Sequence, residues 1–117
     1  MGGYRDLKVW RESMQLAKKI YTLTSRFPAE EKYGLVSQMR RAVVSIPSNI
    51  AEGHGRGSSN EMARFCSIAK GSLYELQTQV LLSEQLGFLE STEAQNALST
   101  AEELAKMLAG LIRSTQA

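Results

Sequence analysis

A chain of 117 residues is long enough for one domain with a substantial core, and 43% hydrophobic with 22% charged residues excludes global disorder. No apolar run approaches the roughly 18–20 residues of a membrane span, and a single cysteine, Cys66, excludes an intrachain disulfide and fits a reduced, cytoplasmic setting. The net charge of +2 conceals a split: residues 1–70 hold twelve Lys/Arg against six acids, residues 71–117 two against six. Such a split either offers a basic face to an anionic partner or lets the two segments attract each other.

Met1–Asp6 carries neither a signal-peptide nor an N-myristoylation pattern. Four helices are expected, with no strand pattern of useful length. The first runs over about 7–25, with Asp6 as N-cap. Its polar arc collects Lys8, Arg11, Glu12, Gln15, Lys18, Lys19 and Thr22. Its apolar side, with Val9, Trp10, Leu16, Ile20 and Tyr21, spans about 180°, wider than one core needs.

Phe27-Pro28 breaks the chain before a second helix over about 33–52. Leu35, Met39, Ala42, Val43, Ile46 and Ile50 form its core face. Pro47 stands in its interior, where it removes a hydrogen bond to the Val43 carbonyl, costs about 3 kcal/mol and predicts a kink. The arc opposite the core holds Arg41, Ser45, Ser48, Asn49 and Glu52, short polar groups for the most part, which would let another helix approach closely. Gly53 is expected to end this helix.

The third helix, about 59–86, has a Ser58–Glu61 capping-box spacing at its start and Gly87 as its C′ residue. Besides a core face (Met62, Phe65, Ala69, Leu73, Leu76, Val80), it is apolar on a sector with Ile68, Leu82 and Leu86 and on another with Ala63, Tyr74 and Leu81. The fourth, about 92–113, begins with a Thr92–Gln95 capping-box spacing. It carries one clean stripe through Ala94, Ala97, Ala101, Leu104 and Leu108, with a solvated back; Ser114–Ala117 reads as a frayed tail. Short connections between long helices imply an all-α, antiparallel up-and-down four-helix bundle, one domain over 1–117.

No catalytic constellation emerges. His54, the only histidine, lies in the glycine-rich stretch 53–57, so neither a zinc set nor a di-iron pattern is available, and no base can be assigned to Cys66. The glycine stretch follows a helix rather than a strand and lacks a Gly-Lys-Ser/Thr ending, so it reads as a chain reversal rather than a phosphate cradle. The chain is therefore read as non-enzymatic, without metal or cofactor. Arg5, Lys8, Arg11, Lys18 and Lys19, with Arg56 and Arg64, are the candidates for nucleic-acid backbone contact. One bundle buries one side of each helix, so the surplus faces are expected to meet another copy of the chain. Arg40, Arg41, Ser45, Pro47, Ser48, Asn49, Glu52, Ile68, Tyr74, Leu81 and Leu82 are the candidate interface residues.

Several segments together carry a resemblance: Asp6-Leu7-Lys8-Val9-Trp10, Phe27-Pro28 with Glu31-Lys32-Tyr33-Gly34-Leu35, and Ser37-Gln38-Met39-Arg40-Arg41-Ala42. It continues through Ser45-Ile46-Pro47-Ser48-Asn49-Ile50-Ala51-Glu52-Gly53 and Ile68-Ala69-Lys70-Gly71-Ser72-Leu73-Tyr74-Glu75-Leu76. On these the chain resembles the bacterial four-helix-bundle proteins called 23S rRNA-intervening sequence proteins. The resemblance implies a homopentamer without a settled biochemical function. A related branch resembles the accessory proteins of diversity-generating retroelements, which engage nucleic acid and a reverse transcriptase. Two readings follow: an oligomer that binds RNA or DNA backbone through a basic face, or an oligomeric scaffold that recruits a protein partner.

Overall fold

The structure, a computed structural model, describes residues 2–115; Met1 of the leader reading and Gln116 and Ala117 of the tail lie outside them. Four helices make up the fold: α1 (Lys8–Thr24), α2 (Leu35–Gly55), α3 (Ser59–Gln85) and α4 (Ser91–Thr115). The only other regular pieces among the described residues are two short 3-10 turns, Tyr4–Asp6 and Ala29–Glu31. The molecule measures 44 × 22 × 22 Å, and the 27 residues of α3, at about 1.5 Å each, nearly span the long dimension.

The core runs the length of this rod. Leu16 and Ile20 of α1, Met39, Ile46 and Ile50 of α2, Leu73 and Leu76 of α3, and Leu104 and Leu108 of α4 are its largest fully buried side chains. These positions step by three, four or seven residues along each helix, which is the spacing that keeps a row of side chains on one face. Two hydroxyls buried on α1 are satisfied by their own helix: Ser13 Oγ donates to the Trp10 carbonyl at 2.7 Å and Thr24 Oγ1 to the Ile20 carbonyl at 2.7 Å.

The helix ends show where local signals govern and where they yield. Asp6 does not cap α1: it is part of the Tyr4–Asp6 turn, and extended Leu7 precedes the helix with no side-chain cap. Tyr33 is not in α2, which starts at Leu35, where Glu31 Oε1 accepts the Leu35 N–H at 3.1 Å. Ser58 caps α3 through the Glu61 N–H at 3.2 Å. At the other end of α3, Gly87 takes φ +82°, its N–H bonding to the Glu84 carbonyl and the Phe88 N–H to the Ser83 carbonyl. That is the Schellman pattern, and only glycine adopts this conformation without strain. For α4 the expected Thr92 cap does not form, because Thr92 is already inside the helix. Instead Glu93 Oε1 accepts the Glu90 N–H at 3.1 Å.

Gly53 does not end α2. The helix continues to Gly55, and the reversal is made at Gly57, with φ +78°. Gly53 is buried instead against α3: a Cβ there would lie 2.8 Å from the Phe65 Cβ. Pro47 lies within α2, whose helical span is unbroken, and it too is buried.

Candidate nucleic-acid interface and exposed apolar faces

The outward side of α1 carries the cations. Arg5, Lys8, Arg11 and Lys18 are exposed, and among the described residues none of them joins an ion pair. The guanidinium of Arg11 donates to the Arg5 carbonyl at 3.1 Å, tying the start of the helix to the turn before it. Lys19 differs from the rest of the expected stripe: it is half-buried and donates to Asn96 Oδ1 on α4.

Four arginines elsewhere are neutralised locally, while Lys32, Lys106 and Arg113 are exposed and join no ion pair among the described residues. Arg26 pairs with Glu93, and Arg41 with Glu75 at 3.3 Å. Arg56 pairs with Glu52 at 2.8 Å and Glu61 at 3.7 Å, and Arg64 pairs with Glu61 at 3.5 Å. Arg56 and Arg64 also lie over the Phe65 ring, 5.1 and 5.2 Å from its centroid. The structure therefore separates these two from the α1 cations: each already has a carboxylate and an aromatic partner. A phosphate would have to compete with both.

The arc of α2 expected to face another copy is largely occupied within the chain. Ser45 Oγ and Ser72 Oγ on α3 are 2.9 Å apart, and Asn49 Nδ2 donates to the Ser45 carbonyl and hydroxyl. The short polar groups do allow close helix approach, and within the chain the helix that approaches is α3. Pro47 is buried as well, and Arg41 bonds to Gln38 and Glu75. Arg40 crosses to α1, donating to Thr24 Oγ1 at 3.0 Å and the Tyr21 carbonyl at 3.3 Å, its guanidinium 4.4 Å from the Tyr21 ring centroid. Ser48 and Glu52 stay exposed, Glu52 paired with Arg56.

The exposed apolar surface is concentrated on α3. Ile68, Leu82 and Leu86 are 43%, 44% and 53% exposed, and Tyr74 and Leu81 50% and 44%. At about 100° per residue the first three share one side of the helix, and the last two lie about 120° away. Ala63, expected with the second group, is buried.

The sequence did not reveal a groove between α1 and α2, walled by Tyr4, Trp10, Met14, Val44, Pro47 and Ala51, with a volume of about 340 Å³. Its signal was present in Trp10, Met14, Ala17 and Tyr21, which step along α1 by four, three and four. Without the position of α2, however, that row reads as surplus core.

Reactive groups are sparse. Cys66 is fully buried, and burial pushes its thiol up, away from the thiolate that nucleophilic chemistry needs. His54 is exposed. Among the described residues no three His, Cys, Asp or Glu side chains gather as a metal site would require, and no helix is long and apolar enough to cross a membrane.

The family model of the 23S rRNA-intervening sequence protein matches residues 5–110. The chain belongs to this family. A solved structure from Bacteroides thetaiotaomicron, described as a protein of unknown function from the S23 ribosomal protein family, superposes with a TM-score of 0.82. The match covers 90% of this chain and 95% of that one at 19% identity, so the likeness concerns the fold. A search of curated proteins gives no match.

Proposed function

We propose that this member of the 23S rRNA-intervening sequence protein family is a non-enzymatic, cytoplasmic homo-oligomer, five subunits by the resemblance, that binds nucleic-acid backbone along α1. One observation carries the reading: Arg5, Lys8, Arg11 and Lys18 are exposed and unpaired, while Arg26, Arg41, Arg56 and Arg64 each have a carboxylate. Cations left without partners on one helix and the turn before it form a positive surface, and repetition in an oligomer multiplies the phosphates it meets. The α3 sectors support the assembly, since two unlike apolar surfaces on one helix suit a head-to-tail contact. Mobility shift of a labelled RNA across a salt series tests the binding. Retention at low salt should fall steeply with added salt, and an Arg11→Gln, Lys18→Gln double variant should flatten the log–log slope by about 0.7 per charge removed. Absence of any retarded band at low salt overturns the reading.

A second reading, a scaffold that recruits a protein, is favoured by Tyr74 and Leu81, because a contact on the Ile68 side leaves them uncovered. A stoichiometric partner that survives nuclease in a pull-down, and that a Tyr74→Glu variant loses, would support it.

A further inference from the structure

We infer that the groove between α1 and α2 receives an unstacked nucleobase, so that the partner of the α1 cations is single-stranded nucleic acid rather than duplex; this rests on the backbone reading above. The groove has the volume of a small-ligand site, about 340 Å³. Its walls are aromatic and aliphatic apart from Ser48 at its edge, with Tyr4 and Trp10 held edge-to-face at 5.2 Å. No acidic side chain lines it.

Three of the unpaired cations, Arg5, Arg11 and Lys18, adjoin this wall, whereas Lys8 lies toward α4. The Arg5 guanidinium lies 5.7 Å from the Tyr4 ring centroid. Met14 of the groove stands three residues after Arg11 and four before Lys18, spacings that make side chains neighbours on a helix surface. An aromatic-walled slot beside a line of cations is the arrangement that holds a single strand, with bases on the rings and phosphates on the charges. A duplex keeps its bases stacked inside and would engage only the cations. A second copy of the chain is a poorer occupant on charge grounds. The Ile68–Leu82–Leu86 side of α3 offers Glu75, already paired with Arg41, and Glu61, already paired with Arg56 and Arg64, and so brings no free carboxylate for Arg5, Arg11 and Lys18.

Trp10 is the only tryptophan in the chain, so its emission reports on the groove directly. The full chain is titrated with a short single-stranded RNA, its DNA counterpart and the RNA duplex, reading Trp10 fluorescence and mobility shift together. Both single strands should quench Trp10 in step with the retarded fraction and bind more tightly than the duplex. Trp10→Ala should weaken single-strand affinity about 5- to 150-fold, the range of one lost base stack. Because that variant can also loosen the bundle, Ser48→Leu serves as a second test. It narrows the groove from an exposed position without changing charge, and should abolish both the quench and the preference for single strands. Retardation with unchanged Trp10 emission, or equal affinity for duplex, overturns the groove assignment and leaves the backbone reading standing. Trp10 emission that shifts with protein concentration alone assigns the groove to a second copy and likewise overturns it. No retarded band at low salt overturns both.

Discussion

Gly53 of α2 and Phe65 of α3 meet so closely that a Cβ on Gly53 would stand 2.8 Å from the Phe65 Cβ and 3.3 Å from Met62 Sδ. Two opposing effects decide what Gly53→Ala does. Removing a glycine from a helix interior favours the fold by about 0.5–1 kcal/mol, whereas overpacking a tight contact costs about 1–3 kcal/mol. The close neighbour is a Cβ, which moves only with its backbone, so the cost should win and the variant should unfold at lower urea concentration. Gly71, in the middle of α3 with nothing within 4 Å of its would-be Cβ, provides the contrast: Gly71→Ala should stabilise by about 0.5–1 kcal/mol.

Arg40 ties α2 to the last turn of α1 through Thr24, the Tyr21 carbonyl and the Tyr21 ring. Arg40→Met keeps much of the stem but loses the charged hydrogen bonds, and should cost about 1.5–3 kcal/mol in chemical denaturation. Arg40→Lys should recover only part of this, since an ammonium cannot stack on the ring and reach both oxygens as a planar guanidinium does.

Glu93 has its carboxyl held below the ordinary value of 4.5, first by the hydrogen bond from the Glu90 N–H and then by Arg26. A depressed folded-state pKa means that the contribution is present above the unfolded pKa and is lost as pH falls through the folded one. Thermal melts of the wild type and Glu93→Gln should therefore differ near neutral pH and converge in acid, below 4.5. A constant gap across that range would contradict the assignment.

Ile68→Glu and Leu81→Lys place charge on the two exposed sectors of α3, at positions already 43% and 44% open to solvent. Each should lower the mass measured by light scattering while leaving helicity and unfolding cooperativity intact. A monomeric wild type at micromolar concentration would show that these sectors do not join copies of the chain.

Much of the fold was legible because its signals are local. The α4 stripe, the Ser58 cap and the Gly87 terminus each depend on residues within one or two turns, and sequence spacing displays them. Gly53 illustrates what was not legible. A glycine near a helix end reads equally as a stop or as a point of close approach, and only the position of Phe65 across the bundle distinguishes the two. Ser45 was expected to turn outward for the same reason, since its partner Ser72 lies 27 residues away. At the candidate interface, the types of the α1 cations were evident, but not which would be unpaired. Arg56 and Arg64 look as available in sequence as Arg11, until Glu61 and Phe65 are placed beside them.

The buried thiol of Cys66 gives the bundle a built-in clock. It is the chain's only cysteine and has no solvent-accessible surface, so a thiol reagent can modify it only when the helices around it part. The labelling rate then measures how often the core opens, at one residue and without an introduced cysteine. Since Cys66 lies in the chain's own core rather than on an outward sector of α3, a change in that rate on adding RNA or raising protein concentration would report how far binding or assembly tightens the bundle itself.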